Sequence, residues 1–135
     1  MKRRALLVSI AAVAAVAAAS VVSAAVVEGT PGPDHLVGTP GADIVYARAG
    51  DDVVYGREGP DTLYGGPGAD RLFGGPGDDT LFALANDDRR DYLDCGAGDD
   101  TANLNVHERG FYQIVRCEHV NWIDPSAEQL AEEAS

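Results

Sequence analysis

The sequence predicts an all-β fold in which short parallel strands stack as the coils of a solenoid. Three observations support this prediction. A nine-residue period runs without a gap from Gly29 to Phe82, each unit has glycine and aspartate at fixed positions, and the eighth residue of each unit is aliphatic. A fixed period of this kind indicates stacked, near-identical structural units rather than an ordinary globular core.

Six consecutive units fill this stretch, from GTPGPDHLV at residues 29–37 to GGPGDDTLF at residues 74–82. The fourth position is always glycine and the sixth is always aspartate. The turn glycines are Gly32, Gly41, Gly50, Gly59, Gly68 and Gly77, and the aspartates are Asp34, Asp43, Asp52, Asp61, Asp70 and Asp79. Positions one to six therefore have the composition of a tight turn, in which glycine supplies positive φ where it is needed.

Positions seven to nine are β-branched, aromatic or aliphatic in most units, which predicts three-residue strands. These predicted strands are 35–37, 44–46, 53–55, 62–64, 71–73 and 80–82. Because side chains alternate across a strand, the eighth residue faces inward and its two neighbours face outward. Two units then make one coil of 18 residues, with strands on opposite sides and the aliphatic residues meeting between them.

The stacking of 18-residue coils places the aspartates in two columns. Asp34, Asp52 and Asp70 form one column, and Asp43, Asp61 and Asp79 form the other. Coils stack about 4.8 Å apart, so neighbouring carboxylates repel by roughly 1–3 kcal/mol per pair. A hard divalent cation between coils removes this repulsion. Oxygen ligands without cysteine or histidine favour Ca²⁺ over zinc or copper.

The unit Gly65-Gly66-Pro67-Gly68-Ala69-Asp70-Arg71-Leu72-Phe73 resembles the haemolysin-type (RTX) calcium-binding repeat, G-G-x-G-x-D-x-U-x with U aliphatic. The resemblance implies a small secreted bacterial member of that family, folded as a parallel β-roll, a right-handed β-helix-like solenoid. It also implies about four calcium sites, lined by Asp34/Asp52, Asp43/Asp61, Asp52/Asp70 and Asp61/Asp79. The earlier units depart from the pattern at Thr30, Thr39, Ala47, Arg48 and Arg57.

After Phe82 the period slips, and treating Ala83-Leu84-Ala85 as an insertion restores it. Two degenerate units then follow at 86–94 and 95–103, which extends the predicted β-roll to residues 29–103. In the first, Arg89 occupies the glycine position, so either Asp91 or Asp88 takes the place of the turn aspartate. The second retains Gly96 and Gly98, which makes Asp100 a further candidate calcium ligand.

Cys95 and Cys117 are the two cysteines of the chain. In an exported protein they predict a disulfide. This bond ties a probable strand at 112–116 to the last coil, and we expect residues 104–124 to form a cap over the open end of the stack. Phe111, Tyr112, Val120, Trp122 and Ile123 supply its apolar bulk. The alternative is a metal cluster of Cys95, Cys117, His107 and His119, whose spacing matches no common zinc pattern.

The N-terminus has the composition of a signal peptide. Lys2, Arg3 and Arg4 precede an apolar, alanine-rich run, and small residues around Ala24 or Ala25 fit a cleavage site, so we assign residues 1–24 to the signal. The alternative is an uncleaved membrane anchor, although alanine contributes little to insertion. Residues 25–28 are then a short linker, and residues 125–135 are an acidic tail.

Charge and missing motifs limit the remaining functions. The chain has 10 basic and 22 acidic residues, and removal of the signal leaves 7 basic residues against the same 22. Such a surface disfavours nucleic acid and anionic lipid. No metalloprotease, nucleophile-elbow or P-loop motif is present, so we expect no enzymatic activity. The alternative function is adhesion to a glycan or protein through two outward aromatic ladders, formed by Tyr46, Tyr64 and Phe82 and by Tyr55 and Phe73.

Overall fold

The structure, a computed structural model, describes residues 23–126. This part of the chain is almost entirely β-structure, with one 3₁₀ turn at Val106–Glu108. The strands are β1 (Val26–Glu28), β2 (His35–Val37), β3 (Ile44–Tyr46), β4 (Val53–Tyr55), β5 (Thr62–Tyr64), β6 (Arg71–Pro76), β7 (Thr80–Ala83), β8 (Asp91–Ala97), β9 (Thr101–Asn105), β10 (Tyr112–Val115) and β11 (His119–Ile123). Strands β2 to β7 begin at the predicted residues, and the all-β prediction is confirmed.

The strands form two parallel sheets that face each other across a thin core. Odd-numbered strands make one sheet, in the order β1-β3-β5-β7-β9-β11, and the even-numbered strands make the other, in the order β10-β8-β6-β4-β2. Each strand up to β7 pairs with the strand 18 residues away, for example Leu63 with Leu81. The chain therefore alternates between sheets and forms a solenoid, as the nine-residue period predicts.

The core is a single file of aliphatic residues from the eighth position of each unit. Leu36 in the first unit is partly buried, and the side chains of the later units are fully buried between the two sheets. These residues are Val45, Val54, Leu63, Leu72, Leu81, Leu93 and Ala102. Because each coil contributes only two such side chains, the core is one layer thick and the turns lie close to solvent.

The insertion Ala83-Leu84-Ala85 lengthens one coil without breaking the stack. Strands β8 and β9 pair with β6 and β7 at a separation of 21 residues, for example Leu72 with Leu93. The side-chain amide of Asn105 donates to the carbonyl oxygens of Leu84 and Ala85, both at 3.1 Å. The predicted register after Phe82 is therefore correct, and the buried Asn105 side chain holds the inserted residues in place.

Residues 25–28 are not a linker, contrary to the sequence prediction. Val26–Glu28 forms β1, which pairs with β3 in the same register as the repeats. Val27 packs against the core, and the carbonyl oxygen of Ala25 accepts a hydrogen bond from the Ile44 N–H at 2.9 Å. The segment Ala25-Val26-Val27-Glu28 has the alternation of a repeat strand but carries alanine where the aspartate stands, so the repeat pattern does not reveal it.

The predicted disulfide-tied cap at residues 104–124 contains a further coil that stacks on the preceding one. Strand β10 pairs with β8 and β11 pairs with β9, both parallel. The Cys95–Cys117 disulfide is present, with the two Cα atoms 5.1 Å apart, and it ties this coil to the one before it. Val120 and Trp122 remain 38% and 37% exposed. Of the apolar residues assigned to the cap, Tyr112, Val120, Trp122 and Ile123 therefore lie in the last strands of the two sheets.

The predicted aromatic ladders are present on the outer faces of both sheets. Tyr64 stacks on Tyr46 and on Phe82, with ring centroids 4.8 and 4.6 Å apart. On the other sheet, Tyr55 stacks on Phe73 at 4.8 Å. The ring planes lie within 10° of parallel, so each ring covers the face of its neighbour. Such contacts stabilise the stacking of adjacent parallel strands.

Most of the predicted signal peptide and nearly all of the acidic tail lie outside the described residues. Within residues 23–126, no helix has both the length and the apolar character that a membrane span requires.

Candidate metal centre

A repeated hydrogen bond places the carboxylates at the sixth repeat position in two columns. The Oδ1 atom of each aspartate accepts the backbone N–H of the equivalent residue one coil earlier. In one column these bonds run from Asp34 to Asp52 (2.7 Å), from Asp52 to Asp70 (3.0 Å) and from Asp70 to Asp91 (2.9 Å). In the other column they run from Ala25 to Asp43 (2.7 Å), from Asp43 to Asp61 (2.8 Å), from Asp61 to Asp79 (2.8 Å) and from Asp79 to Asp100 (2.7 Å).

Five of the turns share a backbone conformation that the first two turns lack. In these five, which we call open turns, the second and fourth residues both have positive φ. The pairs are Arg48 and Gly50, Arg57 and Gly59, Gly66 and Gly68, Gly75 and Gly77, and Gly96 and Gly98. A left-handed residue is costly for arginine and free of strain for glycine. The open turns therefore have the backbone conformation that favours glycine at the second position. They keep this conformation even in the two turns where Arg48 or Arg57 replaces that glycine.

The first two turns close over their own carboxylates. The Thr30 N–H and hydroxyl donate to Asp34 Oδ2, at 2.5 and 3.0 Å. Likewise, Thr39 donates from its N–H to Asp43 Oδ2 at 2.5 Å and from its hydroxyl to Asp43 Oδ1 at 2.8 Å. Threonine at the second position thus supplies hydrogen bonds that occupy these two carboxylates.

In the open turns the second carboxylate oxygen is buried and unsatisfied. The Oδ2 atoms of Asp52, Asp61, Asp79 and Asp100 have no hydrogen-bond partner among the described residues. Their side chains are at most 1% exposed. A buried carboxylate oxygen without a partner costs free energy, because nothing replaces the water that it loses. Such atoms are expected where a cation completes the site.

Main-chain carbonyl oxygens face the same space as these carboxylate oxygens. A Cβ atom on Gly56 would overlap both Asp61 Oδ2 and the carbonyl oxygen of Gly74 in the next coil. A Cβ atom on Gly74 would likewise overlap Asp79 Oδ2 and the carbonyl oxygen of Cys95. Because glycine at the first position of these turns has no side chain, a small space remains beside it that is lined by oxygen atoms from two coils. We call this space the cradle.

Burial raises the pKa of the column carboxylates. The pKa of Asp52 and of Asp61 is about 6, and that of Asp79 is about 7, against an ordinary value of 3.8. Loss of solvation is the main cause in each case. The backbone N–H that binds Oδ1 lowers the pKa, and the neighbouring carboxylates of the column raise it again. Ionised carboxylates at this spacing are therefore destabilised without a cation.

The donor set fits a hard cation that takes oxygen ligands. Among residues 23–126, no three side chains of histidine, cysteine, aspartate or glutamate converge on one point. A bound ion would therefore take carboxylates from adjacent coils and fill its other positions with carbonyl oxygens and water, which suits Ca²⁺.

The zinc alternative does not fit the structure, because both of its cysteines are used in the disulfide. Its two histidines lie apart in surface contacts. His107 contacts Asp124 at 3.0 Å, and His119 contacts Asp99 at 2.8 Å.

A family model for the RTX calcium-binding nonapeptide repeat, in four copies, matches residues 28–63 and 55–89. The chain carries an RTX calcium-binding repeat array. The match ends at Arg89, after the insertion and within the first degenerate unit, although the coils continue beyond it. No curated protein and no solved structure matches the chain significantly.

The RTX array brings together all the aspartates that the sequence singled out, in the order that the 18-residue spacing predicts. The predicted pairs Asp52/Asp70 and Asp61/Asp79 join two open turns. The pairs Asp34/Asp52 and Asp43/Asp61 each contain one closed turn, which is a difference that the consensus alone does not reveal. Asp100 joins the column through Asp79.

Two acidic residues beyond the regular repeats, Glu108 and Glu118, were missed as members of the carboxylate network. Of the two alternatives that the sequence left open, Asp91 rather than Asp88 continues the column of Asp70. Glu118 lies 18 residues after Asp100 and accepts its N–H at 2.9 Å, so the coil spacing was the available indication. Glu108, which is 1% exposed, accepts the N–H groups of Asp87 and Asp88. Glu108 lies in a segment without the nine-residue period, so no repeat position indicated its role.

Proposed function

We propose that this protein is a calcium-binding β-roll that folds when its turns bind Ca²⁺. The observation that carries the proposal is the row of buried Oδ2 atoms on Asp52, Asp61 and Asp79, which have no hydrogen-bond partner in the part of the chain that the structure describes. These atoms lie in a segment that matches calcium-binding repeats. A buried, ionised carboxylate of this kind is stable when a cation is its partner.

The residues that would hold the ions follow from the open turns. Asp61 and Asp79 would hold one ion, and Asp52 and Asp70 would hold a second. Asp79 and Asp100 frame a third, because both belong to open turns of the same column. Calcium supplies positive charge that neutralises adjacent carboxylates and binds the carbonyl oxygens of two coils. The chain itself sets the spacing through its Oδ1 hydrogen bonds.

The closed turns form weaker sites or none. The Oδ2 atoms of Asp34 and Asp43 already accept hydrogen bonds from Thr30 and Thr39. An ion between Asp34 and Asp52, or between Asp43 and Asp61, would compete with these bonds. We therefore expect about four ions, with the tighter ones in the second half of the array.

Coupling between calcium and folding follows from the thin core. Each coil buries only two aliphatic side chains, while its glycine-rich turns lose much conformational freedom on folding. Repulsion along the aspartate columns also opposes folding. Ion binding offsets both effects, as it does in other small domains that need a metal to fold. Stacked rings and the disulfide add local support.

We further propose that the protein is exported and has no enzymatic activity. Its first 24 residues have the charge and apolar pattern of a signal peptide. RTX-repeat proteins are typically secreted, and extracellular calcium modules commonly bind at about 10⁻⁴–10⁻³ M. Such an affinity keeps the chain unfolded at cytosolic calcium levels and folds it outside the cell.

Isothermal titration calorimetry of the calcium-stripped protein tests the binding proposal. We expect saturable calcium binding in the submillimolar to millimolar range, with about four ions per chain. Magnesium serves as the control, because it is smaller and demands octahedral geometry. Equal binding of both cations indicates nonspecific attraction to an acidic surface, and absence of calcium binding contradicts the proposal.

A further inference from the structure

We propose that Asp100 and Glu118 form an additional calcium site beyond the repeats, at the C-terminal end of one aspartate column. This inference rests on the proposed function, since it extends the same mode of binding. Glu118 lies outside the residues that the family model matches. It belongs to the segment that the sequence assigned to a cap.

Glu118 occupies the place of a repeat aspartate. Its Oε2 atom accepts the Asp100 N–H at 2.9 Å. The same contact links Asp79 with Asp100, at 2.7 Å, and Asp61 with Asp79, at 2.8 Å. Glu118 also follows Asp100 by 18 residues, which is the spacing of one coil. The column therefore continues by one carboxylate after the recognisable repeats end.

Asp100 provides the buried oxygen that such a site needs. Its side chain is fully buried, and its Oδ2 atom has no hydrogen-bond partner within residues 23–126. The pKa of Asp100 is raised, mainly by burial, and Glu118 makes the largest contribution from a neighbouring charge. Gly96 and Gly98 give this turn the open conformation found inside the array. An ion between the two carboxylates would offset the free-energy cost of burying the Asp100 charge and would reduce the repulsion between Asp100 and Glu118.

The disulfide and an ion pair position Glu118. Cys117 directly precedes Glu118 and is bonded to Cys95 in the previous coil. Arg116 donates to both carboxylate oxygens of Asp94, at 2.8 and 2.6 Å. These two links hold residues 116–117 against β8, so the carboxylate that follows is brought onto Asp100. The disulfide is therefore a positioning element for a calcium ligand.

The new site should bind calcium more weakly than the interior sites. No coil follows β11 in the described part of the chain, so water must supply several ligands of the ion. We therefore expect this site to fill last in a calcium titration. Substituting Cys95 and Cys117 together by serine should weaken it by about 10- to 100-fold, the range found when groups that orient a metal ligand are removed.

The test compares Glu118→Gln with Glu58→Gln in calcium calorimetry of the purified protein. Glu58 is an exposed turn residue outside the columns, so its substitution removes the same charge without removing a proposed ligand. We expect Glu118→Gln to bind one ion fewer than the wild type, with loss of the weakest class, and Glu58→Gln to match the wild type. Unchanged stoichiometry and affinities in Glu118→Gln overturn the inference and leave the proposed function standing.

Circular dichroism at saturating calcium shows whether Glu118→Gln retains the β-roll. If it does not, Glu118→Asp decides, because it keeps the charge and shortens the side chain by one methylene. A change in the affinity of the last ion alone, in either direction, in Glu118→Asp supports the site, and wild-type affinity contradicts it. A wild type that binds no calcium overturns both this inference and the proposed function.

Discussion

Asp79 binds the backbone of Asp61 with one carboxylate oxygen, and its other carboxylate oxygen is buried without a hydrogen-bond partner among residues 23–126. The Oδ1 atom accepts the Asp61 N–H at 2.8 Å, while Oδ2 faces the cradle beside Gly74. One oxygen therefore fixes the distance between two coils, and the other remains available for a cation. This division explains how the same side chain serves both the fold and the proposed site.

Asp61→Ala should reduce calcium binding more than Asp34→Ala does. Asp61 belongs to the proposed site with Asp79 and to the weaker pair with Asp43, whereas Asp34 lies at the end of its column, belongs only to a weaker pair and accepts hydrogen bonds from Thr30. We expect Asp61→Ala to lose at least one tightly bound ion and Asp34→Ala to lose at most one weakly bound ion, measured by calorimetry. Equal losses argue against ions held between adjacent coils.

The calcium-free protein should become less stable as pH rises from about 4 to 7. The pKa values of Asp52, Asp61 and Asp79 lie near 6, 6 and 7 in the folded chain and near 3.8 in the unfolded chain. The folded state therefore binds more protons in this window, and the free energy of unfolding decreases as those protons leave. With saturating calcium the trend reverses, because protons compete with the ion. Circular dichroism of the calcium-free protein at pH 5 and pH 8, and urea midpoints of the calcium-bound protein at the same two pH values, provide the measurement. A calcium-free protein with more β-signal at pH 8 than at pH 5 contradicts this prediction.

Gly77→Ala should destabilise the calcium-bound fold by about 1–3 kcal/mol. Gly77 has a φ of 144°, and a Cβ atom there would overlap the carbonyl oxygen of Gly59. Gly110→Ala is the matched control, because a Cβ atom at Gly110 meets nothing within 4 Å. Urea unfolding in calcium compares the two variants. Similar stabilities would show that the turn tolerates a side chain at its left-handed residue.

Arg57→Gly should be more stable than Arg57→Ala by about 0.5–1 kcal/mol. Arg57 has a φ of 88° at the second position of an open turn, where the repeat consensus has glycine. Both variants remove the guanidinium group and its weak contact with Glu58, but only glycine relieves the backbone strain. Urea midpoints in calcium give the difference. A more stable alanine variant would contradict the assignment of strain to this residue.

The nine-residue period was enough to predict the strands, the buried aliphatic file and both aspartate columns, because each follows from strict spacing. The closed turns were not predictable, since the hydrogen bonds of Thr30 and Thr39 depend on a local backbone conformation that the consensus does not specify. Glu118 was missed because the turn between β10 and β11 is three residues shorter than a repeat turn and has none of its glycines. Only the 18-residue spacing from Asp100 remains there as a sign of the column.

Amide hydrogen exchange with and without calcium, followed in parallel by circular dichroism, tests most directly whether calcium and folding are one event. The protein with its disulfide intact is stripped of calcium and compared with the same sample at saturating calcium. We expect residues 29–82 to exchange without protection and to lose their β-signal in the calcium-free protein, and to become protected on addition of calcium. Strands near the Cys95–Cys117 bond should keep partial protection from amide exchange in both the calcium-free and the calcium-saturated sample. A protected β-fold across residues 29–82 in the absence of calcium contradicts the coupling.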